Sequence, residues 1–342
     1  MGILSKGMEI IVPRLFNEGK FDGIISLGGT GGTSLVAPAM RALPIGVPKV
    51  MVSTVAAGDV SPYVGTKDIV MIPSIVDVSG INSISKTIFT NAAMAIVGMV
   101  TLKDKIKERK MESKPLIAAT MFGVTTPWVN ITKDYLEEQG FEVLVFHATG
   151  TGGRTMESLI NGGFIAGVLD LTTTEWCDEL FGGIFAAGQN RCEAAAANNI
   201  PAVFSVGAMD MVNFGAYDTV SENLLKRNLY KHNPITTLMR TTVEENEKLG
   251  EKLAEKLNLY SEKTALFLPL KGVSMIDVEG GAFYGPDEDK ALFNALKNNI
   301  TSTSVEIIEL DTDINNEEFA LACAKKLTKL INEKNNGGIS NE

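Results

Sequence analysis

Twice in this chain a hydrophobic run passes straight into a Thr- and Gly-rich loop that opens a helical segment. It reads FDGIISLGGTGGTSLV from Phe21 and FEVLVFHATGTGGRTMESLI from Phe141. The shared core is Gly29-Thr30-Gly31-Gly32-Thr33-Ser34 and Gly150-Thr151-Gly152-Gly153-Arg154-Thr155. A strand, a glycine loop and a helix in succession make the unit from which parallel α/β sheets are built. The first backbone N–H groups of such a helix lack carbonyl partners, and the peptide dipoles concentrate positive potential there. Glycines let that backbone approach an anion closely, and Thr and Ser hydroxyls add donors. Each loop therefore reads as an anion cradle or as a tight strand-to-helix turn. Four glycines within Gly28 to Gly32 exceed what a turn alone requires.

The rest of the chain agrees with this unit. Strand-like runs recur at Gly23 to Leu27, Lys49 to Ser53 and Ile69 to Pro73, behind a helix over Lys6 to Glu18 that carries Pro13. A long helix over Asn82 to Arg109 ends in the charged run KDKIKERK and marks a boundary. Strands are expected next at Leu116 to Thr120, Glu142 to Phe146, Ile165 to Asp170, Ala202 to Val206, Ala265 to Leu268 and Val305 to Leu310. Amphipathic helices lie at Glu244 to Leu257 and Glu317 to Ile331. Apolar strands alternating with amphipathic helices mean parallel sheet. The fold class is α/β: two Rossmann-like domains with mainly parallel sheets, over residues 1–112 and 113–335, with 336–342 as a disordered tail. The first sheet, with three strands, is small and reads as N-terminally shortened. In open parallel sheets ligands sit beyond the carboxyl ends of the strands, where both glycine loops fall, and two facing sheets would place them in a common interdomain cleft.

Of the 342 residues only 21% are charged, and the net charge of −10 leaves no basic stripe for nucleic acid. Cys177, Cys192 and Cys323 are odd in number and lack zinc-like spacing, so buried reduced thiols are expected. The most apolar stretch, Ala92 to Leu102, is about half the length a bilayer requires, and no signal peptide opens the chain. A cytoplasmic protein without a membrane partner is expected.

Neither loop is a P-loop, because no Gly-Lys-[Ser/Thr] follows. The dinucleotide fingerprint fails at the first loop. It is nearly met at the second, where only the last glycine is replaced, by Thr155, and Asp170 ends the following strand. An NAD-type oxidoreductase is therefore an alternative to a nucleotide-phosphate site. The nucleotide-binding candidates are Gly28, Gly29, Thr30, Gly31, Gly32 and Thr33 in one loop and Thr149, Gly150, Thr151, Gly152, Gly153, Arg154 and Thr155 in the other. Arg154 could fork onto a phosphate or face solvent in a first helical turn.

The two histidines, His147 and His232, fall in loop-like contexts suited to proton transfer or to turn stabilisation. Polar groups crowd the later strand ends: Asp170 and Glu175, Arg191 and Glu193, Asp210 and Asn213, Lys271 and Asp277. Each could act as acid, base or Mg²⁺ ligand, or merely cap a helix or close an ion pair. The catalytic candidates are His147, Asp170, Arg191, Asp210 and Lys271. The metal candidates are Asp59, from the long loop after Ser53 that also holds Tyr63, with Asp210 and Asp277.

At these motifs the chain resembles a family of largely uncharacterised bacterial, fungal and plant proteins that share the ATP-binding N-terminal domain of the tomato mosaic virus resistance protein. The matching stretches are DGIISLGGTGGTSLVAPAMRALPIGVPKVMVSTVAAGDVSPYVG, FHATGTGGRTMESLI, LDLTTTEW, GAMDMVNFG, HNPITTLMRTT and PLKGVSMID, spread over nearly the whole chain. The resemblance implies ATP, with Mg²⁺ as its counter-ion, on a two-subdomain Rossmann-like fold that forms a homodimer. Any reaction would be ATP-dependent or phosphate-handling. A non-catalytic, nucleotide-dependent protein-binding module is a further alternative. Both glycine loops become nucleotide-phosphate candidates, with no choice between them. Family members usually begin with a further strand-helix-strand segment bearing a Thr-x-Asp-Thr-Lys-like motif that this sequence lacks, and the plant protein's C-terminal barrel-like domain is also missing.

Overall fold

The computed structural model describes residues 2–107 and 114–337. The chain divides into two compact units, Met1–Ser113 and Lys114–Glu342. Residues 108–110 of the charged run and 338–342 of the expected tail lie outside the described residues.

Unit 1 begins with α1 (Gly2–Asn17), which tolerates Pro13 near its end, and continues through β1 (Ile24–Gly28), α2 (Thr30–Ala42) and β2 (Lys49–Ser53). A short 3-10 turn (Thr54–Ala57), α3 (Ser61–Val64), β3 (Val70–Pro73) and α4 (Ser83–Lys107) complete it. The three strands form a parallel sheet in the order β1-β2-β3, with Gly28, Ser53 and Pro73 in line at its carboxyl edge. Only the central strand β2 is buried throughout; its Val50 and Val52 pack on Ala92, Ile88 and Phe89 of α4. The buried Lys49 at its start is neutralised by Asp68, 2.7 Å away. Ile25, Leu27 and Val70 remain exposed, so this sheet is covered far less than a parallel sheet ordinarily is. The apolar part of α4 is longer than the sequence core suggested. Ser83–Leu102 has a mean hydropathy of 1.3 over enough residues to cross a membrane by length and composition alone, and only 11% of it is buried.

Unit 2 runs β4 (Leu116–Met121), α5 (Thr126–Glu138), β5 (Glu142–His147), α6 (Thr151–Asn161), β6 (Ile165–Thr172), α7 (Glu175–Phe181), α8 (Ala194–Ala197) and β7 (Ala202–Gly207). It continues with β8 (Met211–Phe214), β9 (Leu229–Asn233), β10 (Thr236–Arg240), α9 (Val243–Leu257), β11 (Thr264–Pro269), α10 (Pro286–Asn299), β12 (Val305–Leu310) and α11 (Glu317–Gly337). Six parallel strands order as β12-β11-β7-β6-β4-β5, and the direction of winding reverses between β4 and β6. One face is sealed by Met156, Leu249, Leu253 and Leu292 among others, the opposite face by Trp128, Phe319 and Leu327. This is the doubly wound α/β arrangement that continuous apolar strands require.

Three further strands form an antiparallel sheet, β8-β10-β9, that the sequence pattern did not suggest. β9 reads LYKHN and is largely exposed, so it carries no alternation of apolar and polar residues. His232 accordingly lies on a strand rather than in a loop. All three cysteines are buried and unpaired.

Candidate functional site

The second glycine loop joins β5 to α6, and it already holds an anion: the carboxylate of Glu175 from the first turn of α7. Its Oε1 accepts the amides of Gly150 at 2.7 Å and Gly153 at 3.1 Å, while Thr151 N–H turns back to Thr149 O. The glycines there serve the protein's own packing. A Cβ on Gly153 would lie 2.2 Å from Glu175 Oε2, one on Gly152 1.9 Å from His147 O, and one on Gly150 2.6 Å from Ala186 O. Gly150 also has φ +77°, which glycine adopts without strain.

Glu175 is itself held by Arg191, whose Nε donates to Oε2 at 2.6 Å. The same guanidinium forks onto Asp170 and reaches Glu157 at 3.3 Å. Arg191 is 2% exposed, so one buried cation carries two buried carboxylates, Asp170 and Glu175, and the half-buried Glu157. Burial pushes Glu175 and Glu157 above the ordinary carboxylate range, against the opposing pull of Arg191. Asp170 also accepts from Thr120 Oγ1 at 2.9 Å and is 1% exposed, so it has no oxygen free for a ribose hydroxyl. Arg154 is exposed and bonds to Ala186 O and Thr151 Oγ1, and Thr155 Oγ1 donates to Thr151 O.

The first loop is open. α2 starts at Thr30 with Gly29 as N-cap and no side chain capping it. Thr33 donates both N–H and Oγ1 to Gly29 O, and its hydroxyl meets Ser53 Oγ at 2.6 Å. The amides of Thr30, Gly31 and Gly32 have no partner among the described residues. Thr30 and Gly31 are exposed. Gly28 is needed for the turn, since its Cβ would lie 3.1 Å from Gly32 Cα. Gly29 and Gly32 are not needed by the protein: a Cβ on Gly32 would meet nothing nearer than Leu27 O at 4.0 Å, and one on Gly29 nothing nearer than Thr54 Oγ1 at 3.7 Å. Beside this loop run the segments after β2 and β3, tied together by Ser74 N–H to Ser53 O. Ile75 sits here with φ +65°, a strained conformation for a β-branched residue.

The remaining candidates are scattered. Asp59 is fully exposed, and hydrogen bonds from the hydroxyl and amide of Ser61 hold its carboxyl below the usual range. The Tyr63 carbonyl receives Arg41 Nη1 at 2.6 Å. His147 ends β5 with its ring edge-on to Phe122, and partial burial lowers its pKa. Glu193 pairs with Lys256, and Lys271 pairs with Asp311 on the surface. Asp210 is buried, with one oxygen on Ser274 Oγ at 2.8 Å and the other without a partner; burial raises it to about 6. Asn213 serves Asp178, donating both N–H and Nδ2 to its carboxylate. Asp277 bonds to Arg240 at 3.0 Å. Among the described residues no three acidic, His or Cys side chains are placed to hold a metal ion. Glu157, Arg240 and Asp289 escaped sequence reasoning: each is a charged residue in an unremarkable helical or strand context, and only the fold reveals its burial.

Residues 1–105 match the N-terminal domain of the uncharacterised protein family UPF0261, and residues 114–331 match its C-terminal domain. The chain belongs to this family. A UPF0261 protein of Clostridium tetani is 60% identical over 331 residues, 97% of this chain and 81% of that protein. A UPF0261 protein of Rhizobium meliloti is 48% identical over 91% of this chain and 77% of its own length. The ToMV resistance protein Tm-1(GCR237) of Solanum lycopersicum is 46% identical over 94% of this chain, which spans only 43% of the tomato protein. The UPF0261 domain limits flank residues 106–113, the same stretch in which the two compact units part.

Proposed function

We propose that this UPF0261 protein binds a nucleotide, ATP, by its phosphates at the first glycine loop, on the amides of Thr30, Gly31 and Gly32. The observation that carries this reading is the set of unpartnered helix-start amides at Thr30, Gly31 and Gly32, beside two glycines, Gly29 and Gly32, that packing does not require. The second loop supports it by contrast, because its Gly150 and Gly153 amides already serve Glu175. Mg²⁺ would travel with the phosphates, since Asp59 stands alone and Asp210 and Asp277 serve Ser274 and Arg240.

A nucleotide-dependent binding role is favoured over catalysis. Asp170, Arg191 and Asp210 are buried, and Asp170 and Arg191 are committed to each other. The NAD alternative loses its ribose carboxylate for the same reason. The three buried thiols suit a reducing, cytoplasmic setting, and the exposed apolar side chains of unit 1 suit a homodimer. Titration calorimetry with ATP, ADP and NADH, with and without Mg²⁺, tests the reading. Saturable ATP binding that Gly32→Ala weakens about tenfold or more is expected. NADH binding without a response to ATP would overturn it, as would ATP binding indifferent to Gly32→Ala.

A further inference from the structure

A cavity of about 720 Å³ lies wholly within unit 2, and neither glycine loop contributes a residue to its lining. Its walls are the residues following β11 and β12 and one face of α10, so it sits beyond the carboxyl ends of two parallel strands. That volume suits a small molecule.

The wall carries both signs of charge. Lys271 and Lys297 are neutralised by Asp311 and Glu309. Lys290 and Glu279, also in the lining, have no ion-pair or hydrogen-bond partner among the described residues. Tyr284, Phe293 and Val278 supply an apolar side. Asp289, 6% exposed, is the buried polar group of the lining. It shares Arg240 Nη2 with Asp277, each at 3.0 Å. Gly285 lets the guanidinium in, since a Cβ there would lie 2.5 Å from Arg240 Nη2. Burial and the nearby acids raise Asp277, and burial raises Asp289, against the opposing pull of Arg240. Among the described residues the lining thus leaves Lys290 and Glu279 without a polar partner, and Asp313 accepts only the Asn315 amide.

We propose that this cavity binds an amino-acid-like zwitterion with an apolar side chain, Lys290 receiving the carboxylate, Glu279 and Asp289 facing the ammonium group, and Phe293 and Tyr284 packing on the side chain. A ligand with both charges pairs both Lys290 and Glu279, whereas a simple amine or acid leaves one of those two unpaired.

Calorimetric titration of the whole protein with L-phenylalanine, L-leucine, 2-phenylethylamine and 3-phenylpropanoate tests this. At least one amino acid is expected to bind about tenfold or more tightly than either truncated probe. Lys290→Glu, at an exposed helical position, should abolish that preference and leave the amine as the better ligand, and Glu279→Gln should weaken the amino acid. Saturating ATP should leave amino-acid binding unchanged. The proposal is overturned if neither amino acid gives a saturable signal, if a truncated probe binds as well, if Lys290→Glu changes nothing, or if ATP competes.

Discussion

The two glycine loops have nearly the same sequence and opposite physical roles. Around Gly150 and Gly153 the amides are capped by Glu175, and every glycine contact is filled by protein atoms. The amides of Thr30, Gly31 and Gly32 have no partner among the described residues, and a Cβ on Gly29 or Gly32 would make only ordinary contacts, at 3.7 and 4.0 Å. A nearly identical motif can thus be capped from within the protein or left uncapped, and what separates the two is whether a buried carboxylate from elsewhere reaches the helix start. The buried acids repeat the contrast. In unit 2 burial raises Glu157, Glu175, Asp178, Asp210 and Asp289, whereas in unit 1 hydrogen bonds from Ser61 lower the exposed Asp59.

The comparison breaks most readily at Arg191. Replacing it by Met leaves the carboxylates of Glu157, Asp170 and Glu175 without their counter-ion, and a loss of about 3–5 kcal/mol in urea unfolding is expected. A loss under about 1 kcal/mol would mean that the second loop is not held by this ion pair at all. Next in size, Gly153→Ala should cost about 1–3 kcal/mol, because its methyl group would overlap Glu175. In a Glu175→Ala background the same change should cost much less, and a double-mutant cycle reads the difference.

The pH dependence sharpens the contrast between the units. Asp178 is raised to about 7 and Asp210 to about 6, in both cases because burial disfavours the charged form. Their folded pKa values lie above the unfolded ones, so the folded state binds more protons between about pH 4 and 7. Stability from these groups is full below about pH 4 and declines as pH rises through that window, by up to about 1.4 kcal/mol per pH unit for each group. Asp210→Asn, which keeps an acceptor for Ser274, should flatten the slope between about pH 4 and 6 in urea titrations. An unchanged slope would show that Asp210 ionises freely. The smallest stability effect is expected at Gly32→Ala, within about 0.5 kcal/mol, since the methyl group would meet nothing nearer than Leu27 O at 4.0 Å. A stable Gly32→Ala protein with intact ATP affinity would remove the distinction between the loops.

Much of the architecture could be read from residue pattern. The strand at Val305 to Leu310 coincides with its expected limits, and the apolar runs at Lys49, Leu116 and Ala202 each became parallel strands. Such runs are legible because a strand buried on both faces must be apolar throughout. The antiparallel β8-β10-β9 sheet was not legible, because the exposed β9 carries Lys231, His232 and Asn233, which resemble loop residues. At the candidate site, the glycine loops and most of the polar residues at strand ends were visible, but their pairing was not. Glu175 and Gly150 are 25 residues apart, and Arg240 and Asp289 are 49 apart. No local pattern records a contact between them.

By itself the sequence determined that this chain builds parallel α/β sheets with two glycine-lined helix starts, because hydrophobic periodicity and backbone freedom are local properties. Only the tertiary structure decided which helix start is free. That depends on where a distant carboxylate comes to rest, and burial of Glu175 against Arg191 is a property of the packed unit.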